Sequence, residues 1–289
     1  MNVQFAWTQD PLAALAATIE TAWAEPARLH AGMRGPVRDA VDEVMARLDD
    51  GTLRVAEEVN GAWRVNHWLI HAILVGAHID DYALAGDGPG GSVSWDKGPS
   101  KFAGWDEARF RASGIRALPG ALVRYGAFVD RDVILMPSFV SWGARIGAGS
   151  AIDSWATVGS CAQIGRNVHL SAGATIGGVI EPAGDRPVIL EDDCFVGAGC
   201  GVVEGVRVGR GAVVATGTFL SASTKIVDRA TGEVFRREVP PYAVVVPGSL
   251  PGEPLPDGSP GPAVACAVII KRVDAATRAK ASVNELFRV

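Results

Sequence analysis

Residues 152–176 read IDSWATVGSCAQIGRNVHLSAGATI, with an aliphatic residue at every sixth position: Ile152, Val158, Ile164, Leu170 and Ile176. The same register runs backward through Ile146, Val140, Ile134, Phe128 and Leu122. After a longer gap it resumes as Leu190, Val196, Val202, Val208, Val214, Leu220 and Ile226. None of these seventeen positions is polar. A period of six fits neither a helix at 3.6 nor an alternating strand at 2. It is the pattern of a hexapeptide β-helix, in which each repeat forms one flat side of a triangular coil. Seventeen hexads at three per turn predict roughly six turns.

Side-chain size follows the same register. Four residues after each apolar position the residue is usually small, as at Gly126, Ser138, Ala144, Ser150, Ala156, Ala162, Ala174, Cys194, Cys200, Ala212, Thr218 and Thr224. A large and a small residue thus share each layer of a narrow core. Directly after the apolar residue glycine recurs, at Gly147, Gly159, Gly165, Gly177, Gly197 and Gly209, where a sharp corner or a positive φ is expected. One rung cannot bury its apolar face alone, so the rungs must stack and hold as a unit. The step from Ile176 to Leu190 exceeds two hexads, and the excess falls in 178–187 (GVIEPAGDRP), read as a loop ejected from one corner. Period alone leaves the hand of the coil open.

The chain has 289 residues and a net charge of −5, which gives a nucleic-acid role no electrostatic support. No apolar run reaches the roughly 20 residues that span a bilayer. The opening MNVQFAWTQDP lacks the basic region and apolar core of a signal peptide, so a cytoplasmic protein is expected. Cys161, Cys194, Cys200 and Cys266 form no CxxC pair and read as reduced packing residues.

Three regions are expected. Residues 1–115 form a mostly helical N-terminal domain. One helix carries Leu12, Leu15, Ile19 and Trp23 on a face, and a second carries Val37, Ala40, Val41, Val44 and Leu48. A hairpin turns at Asn60-Gly61, a short helix covers 67–75, 86–92 is a loop, and another short helix ends near Gly114. Residues 116–228 form the coil. Residues 229–289 form an extension: a turn at 228–233, a mobile Pro/Gly-rich stretch at 247–262, a strand at 264–270 and a helix at 275–286. The extension is expected to cover one end of the coil, since an open β-helix end invites aggregation.

Asp153 stands at a corner where most rungs place glycine or another small residue. It is either a solvated aspartate or a base or amine ligand in a cleft. His169 is the one histidine in the coil, whereas a zinc site there needs three. His67 and His71 share a helix face without a carboxylate to complete a metal motif. Arg111, Arg116 and Arg124 cluster at the mouth of the coil, as solvated charge or as a carboxylate site suited to the guanidinium fork. Lys271-Arg272 ends an apolar strand, either in solvent or against phosphates.

Longer strings resemble one family, the tetrahydrodipicolinate N-succinyltransferases of bacterial lysine biosynthesis. They include Asp106-Glu107-Ala108-Arg109-Phe110, Arg124-Tyr125-Gly126-Ala127-Phe128, the run from Asp153 to Gly165, Asn167-Val168-His169-Leu170-Ser171, Val202-Val203-Glu204-Gly205 and Cys266 through Asp274. The resemblance spans roughly 60–289 and fades before that. It implies a left-handed parallel β-helix and a homotrimer with active sites between neighbouring coils. It also implies transfer of the succinyl group of succinyl-CoA to the substrate nitrogen, without an acyl-enzyme or a metal. By the same resemblance Arg116 is a carboxylate ligand, Asp153 an amine ligand or catalytic base, and Ser171 a substrate-binding position. Lys271 and Arg272 fall near the coenzyme.

One departure stands out. Before Val-Val-Glu-Gly the family has Arg-Ser-Glu, whose glutamate is a second active-site carboxylate, and here the three positions are Gly199-Cys200-Gly201. Glu204 faces elsewhere. A lost general acid or base costs about 10²- to 10⁴-fold in rate. Either another group replaces it, or the chain acylates a related amine with succinyl-CoA or acetyl-CoA, or it is a catalytically silent binding protein.

Overall fold

The computed structural model describes residues 11–85, 93–180 and 184–280. The MNVQFAWTQD opening, the 86–92 loop, part of the ejected loop and the end of the last helix lie outside the described residues. Helices α1 (Pro11–Ala24), α2 (Pro36–Asp50) and α3 (His67–Ile79) pack through Ile19, Val41, Val44, Leu48, Leu69 and Ile73. The apolar face expected of α1 is only partly inward, because Leu12 is exposed. Between α2 and α3 the strands Ala56–Val59 and Ala62–Val65 pair around Asn60 and Gly61, both with positive φ, as that dipeptide dictates. The strands Tyr82–Ala85 and Ser94–Lys97 pair on either side of 86–92. Helix α4 (Glu107–Ser113) is capped by Asp106 and stopped by Gly114 in the left-handed region.

The hexads form three parallel sheets. Sheet A stacks Phe128–Val129, Arg145–Ile146, Gln163–Ile164, Ile189–Leu190, Arg207–Val208 and Glu238–Val239. Sheet B starts with Arg116–Ala117, Ile134–Leu135, Ala151–Ile152, His169–Leu170, Phe195–Val196 and Val213–Val214. Sheet C stacks Leu122–Val123, Phe139–Val140, Thr157–Val158, Thr175–Ile176, Gly201–Val202 and Phe219–Leu220. The second residue of each two-residue strand points inward. Each fully buried aliphatic contributes about 1.5–3 kcal/mol.

The six-residue register holds from Val140 to Leu220 and slips by one residue above it. There the inward residues are Val123, Val129 and Leu135, while Leu122, Phe128 and Ile134 face out. The step from Leu135 to Val140 is five residues, and the pairing of Ile152 with Leu135 shows the slip. Each of these rungs has two adjacent apolar residues, so the period is satisfied by either neighbour. Gly126 faces Met45, and Ala127 takes the small core position. Six residues past Leu220, Ile226 still enters the core, but Thr224 accepts the Ser221 N–H instead of filling a small core position.

The repeated glycines serve close approach rather than unusual dihedrals. At Gly147, Gly159, Gly165, Gly177, Gly197 and Gly209 φ is ordinary, but an added Cβ would lie within 3.0 Å of the next coil's backbone. Positive φ falls two residues later in each turn, at Gly143, Gly149 and Gly173 but also at Trp155, Cys161 and Asn167.

Parallel stacking continues beyond residue 228. Ile226–Asp228 and Val234–Phe235 form a hairpin at the edge of sheet B, its first strand paired with Ala267–Ile269 and Ile226 buried in the core, then Glu238–Val239 returns to sheet A and Ala243–Leu250 to sheet B. Ala243–Leu250 pairs antiparallel with Val264–Arg272, so 247–250 belong to a strand and 251–263 join the two. Ala243, Val245, Ala267 and Ile269 close the core of that end. Helix α5 begins at Ala275. The helical domain covers sheet A and the corner between sheets C and A. Phe128 lies against Gly51 at the end of α2, and Arg54 Nε donates to Gln163 Oε1 at 2.8 Å. Burial and the neighbouring Arg145 bring the Arg54 guanidinium down to about 10. Among the described residues no helix is long and apolar enough to cross a membrane.

Candidate active site

At the first turn position glycine recurs in the corners from sheet A to B and from sheet C to A, whereas the corner from sheet B to C has it only at Gly197. Its first turn position carries Asp153 in one coil and Ser171 in the next, with glycine only one coil further on, at Gly197. Asp153 N donates to Leu170 O at 2.9 Å, and Ser171 N to Val196 O at 2.9 Å, so the stacked backbones hold both side chains at one edge. The Ser171 hydroxyl has no hydrogen-bond partner among the described residues. Trp155, two residues on, takes φ +63° and is 78% exposed.

Among the described residues the Asp153 carboxylate has one side-chain partner, His169 on the strand directly below, with Nε2 3.0 Å from Oδ2. The ring is 45% exposed and tilts against Phe195 of the following coil, centroid to centroid 5.2 Å. In the sequence His169 is a lone histidine in the coil, short of a zinc set. The signal that finds it is the 18-residue turn: residues 18 apart stack, which puts 151 over 169 and 153 over 171.

The three arginines at the mouth of the coil separate. Arg111 pairs with Glu107 one turn back on α4, and both are exposed. Arg124 binds Asp96 and Lys97 O and lies over the Trp142 ring at 3.9 Å. Burial opposes ionisation of Asp96, yet the Lys97 N–H and Arg124 hold its carboxyl below the usual range. Arg116, on sheet B two strands above Ala151, is exposed and has no side-chain partner among the described residues. The structure thus places Arg116, Asp153 and Ser171 along one side of sheet B, with Arg116 and Ser171 open to a ligand.

Lys271 and Arg272 lie at the far end, on the closing strand. The Arg272 guanidinium is committed to the buried Asp228, with Nη2 3.0 Å from Oδ2, and stands 5.4 Å over the Phe235 ring. Lys271 pairs with Val244.

Gly201 sits in sheet C facing outward, and the Phe219 ring of the next coil occupies the space a side chain there would need. Glu204 does not replace the missing carboxylate. It forms a turn with φ +55° and accepts the Ala222 N–H at 3.0 Å. All four cysteines are buried free thiols, and burial pushes Cys194 up to about 12. His71 contacts Glu20 at 3.0 Å and stacks on Trp23.

The ejected loop lies away from this corner. Val179 and Ile180 pack on the helical core. Asp185, Arg186 and Pro187 line a groove of about 700 Å³ with Trp63, Arg207 and Arg237. Its charges are engaged within the fold: Arg207 by Glu191 and Glu238, and Arg237 by Glu204 O.

Residues 14–79 match the family model "Tetrahydrodipicolinate N-succinyltransferase N-terminal", well before the position where the matching strings fade. Residues 143–178 match "Bacterial transferase hexapeptide (six repeats)", and 187–222 match "Hexapeptide repeat of succinyl-transferase". A 2,3,4,5-tetrahydropyridine-2,6-dicarboxylate N-succinyltransferase of Methylobacterium sp. (strain 4-46) is 58% identical, over 95% of this chain and 98% of its own. The protein of that name from Rhodopseudomonas palustris (strain BisA53) is 57% identical, over 96% of this chain and 99% of its own. With identity of this order over nearly the whole length of both sequences, the chain belongs to the tetrahydrodipicolinate N-succinyltransferase family.

Proposed function

We propose that this protein transfers the succinyl group of succinyl-CoA to the nitrogen of tetrahydrodipicolinate, in its hydrated or ring-opened form. The observation that carries this reading is the sheet B edge: an unpartnered guanidinium at Arg116, a carboxylate at Asp153 and a hydroxyl at Ser171. The acceptor is a dicarboxylate with one reacting nitrogen. Arg116 suits a carboxylate in bidentate fashion, and Asp153 suits the nitrogen that must lose a proton. No nucleophilic side chain is needed, because the nitrogen attacks the thioester directly. The protein's contribution is to hold the two reactants in line, which is worth several kcal/mol of barrier.

The assembly we propose is a homotrimer of coils packed side by side. Sheet C carries Leu122, Phe139 and Phe219 outward, 40%, 38% and 60% exposed, with Thr157, Thr175 and Gly201 between the two phenylalanines and Trp155 at its corner. Exposed aromatics interleaved with small, uncharged residues fit a protein interface. Lys271 is kept as a coenzyme contact, while Arg272 reaches the coenzyme only by sharing its hold on Asp228.

The test is thiol release by the purified protein with succinyl-CoA and tetrahydrodipicolinate, with acetyl-CoA in parallel. Turnover with succinyl-CoA supports the reading. Release only with acetyl-CoA reassigns the donor. The space filled by Phe219 at Gly201 favours a related amine as the second reading. No release from folded protein, with release on a different amino-acid-derived amine, supports that alternative.

A further inference from the structure

The family's second carboxylate is absent at Gly201, yet Asp153 has a partner able to move a proton. A carboxylate only accepts hydrogen bonds, so His169 meets Asp153 Oδ2 through Nε2–H, at 3.0 Å. That tautomer leaves the lone pair on Nδ1, which has no partner among the described residues, on a ring 45% exposed. Three neighbours define the ring's surroundings. Asp153 holds it from the coil above, Phe195 packs on it from the coil below, and Ser171 follows on its own strand. Asp153 is the charged group in contact with the ring among the described residues, and Arg116 lies three strands above His169 on the same sheet.

Resting on the succinyl-transfer reading, we propose that His169 is the general base and that Asp153 orients it. The acceptor nitrogen attacks the thioester carbonyl carbon and forms the N–C bond, and His169 Nδ1 takes the nitrogen's proton. Asp153 balances the imidazolium. The C–S bond then breaks, the sulfur leaves with the bonding pair, and the imidazolium returns the proton to it. The step ends with amide, free thiol and neutral histidine. Imidazole is the side chain suited to take a proton on one nitrogen while the other stays bonded to a carboxylate, and to return it within one turnover. The residue type the family places at Gly201 is then unnecessary for proton removal.

The discriminating variant is His169→Gln. Its amide N–H still donates to Asp153, which preserves a structural role, but it cannot accept the proton. We expect kcat to fall about 10²- to 10⁴-fold with the KM for succinyl-CoA unchanged, and the acid limb of kcat/KM to vanish. A variant within roughly threefold of wild type, with the acid limb intact, overturns the base assignment while leaving the succinyl-transfer reading standing. No turnover by wild-type protein sinks that reading, and the base assignment with it. A readout independent of activity is the ring ¹⁵N shift of His169. We expect the Nε2–H tautomer in wild type and its loss in Asp153→Ala, which removes the acceptor. An Nδ1–H tautomer in wild type overturns the pair.

Discussion

At the residue scale, the corner between sheets B and C matters because two successive coils place a polar side chain there, Asp153 and then Ser171, before Gly197 closes it. Asp153 and Ser171 owe their positions to the stacked backbones that hold them, and Arg116 its availability to having no ion-pair partner among the described residues. Asp153→Asn is expected to lower kcat about 10²- to 10⁴-fold with the oligomer intact, measured by thiol release beside sedimentation. Wild-type turnover in that variant removes Asp153 from the mechanism. Arg116→Gln should raise the KM for the acceptor about 10- to 100-fold, as expected for a lost charge-assisted hydrogen bond, with the KM for succinyl-CoA unaffected. An equal rise in both constants would argue for general disruption instead. The thiols make a simpler test. Burial holds Cys194 protonated up to about 12, and all four cysteines are buried, so a thiol reagent at pH 8 should label them only after unfolding.

At the element scale, the rung is governed by backbone proximity. Gly159 faces the backbone of Gly177 and Gly178, which cannot swing aside, whereas Gly201 faces the ring of Phe219, which is 60% exposed and can rotate. Gly159→Ala should therefore cost about 1–3 kcal/mol in a denaturation midpoint series, and Gly201→Ala less than about 0.5 kcal/mol. Equal losses would mean that stacked backbones are not what demands glycine. The six-residue pattern was legible because each rung repeats the same packing problem. The one-residue slip at Leu122, Phe128 and Ile134 was not legible, because Leu-Val, Phe-Val and Ile-Leu pairs offer two equally apolar candidates for one inward position.

At the scale of the whole molecule, the three faces of the coil have different fates. The helical domain covers sheet A, held by Arg54 on Gln163, a glutamine with 0% exposure. The closing strands extend sheet B. Sheet C keeps an uncovered, uncharged face with Leu122, Phe139 and Phe219 exposed, and the proposed trimer places it between subunits. Phe219→Glu is accordingly expected to shift sedimentation from trimer to monomer while far-ultraviolet circular dichroism stays unchanged. A trimer that survives this charge would move the interface to another face.

The sequence by itself determined the coil, its approximate length, the ejected loop, the Asn60-Gly61 hairpin and the corner aspartate. Each of these follows from local pattern: a period, a size alternation, a turn dipeptide or an exception to a repeated glycine. Tertiary structure decided which residue of each apolar pair faces inward above Val140, and that 247–250 form a strand within the Pro/Gly-rich stretch. It also committed Arg124 and Arg272 to Asp96 and Asp228, and joined Asp153 to His169. Those outcomes depend on which strand lies above which and on what a long side chain meets across the gap. Such contacts form between coils roughly 18 residues apart, a distance over which local pattern carries no information about side-chain direction.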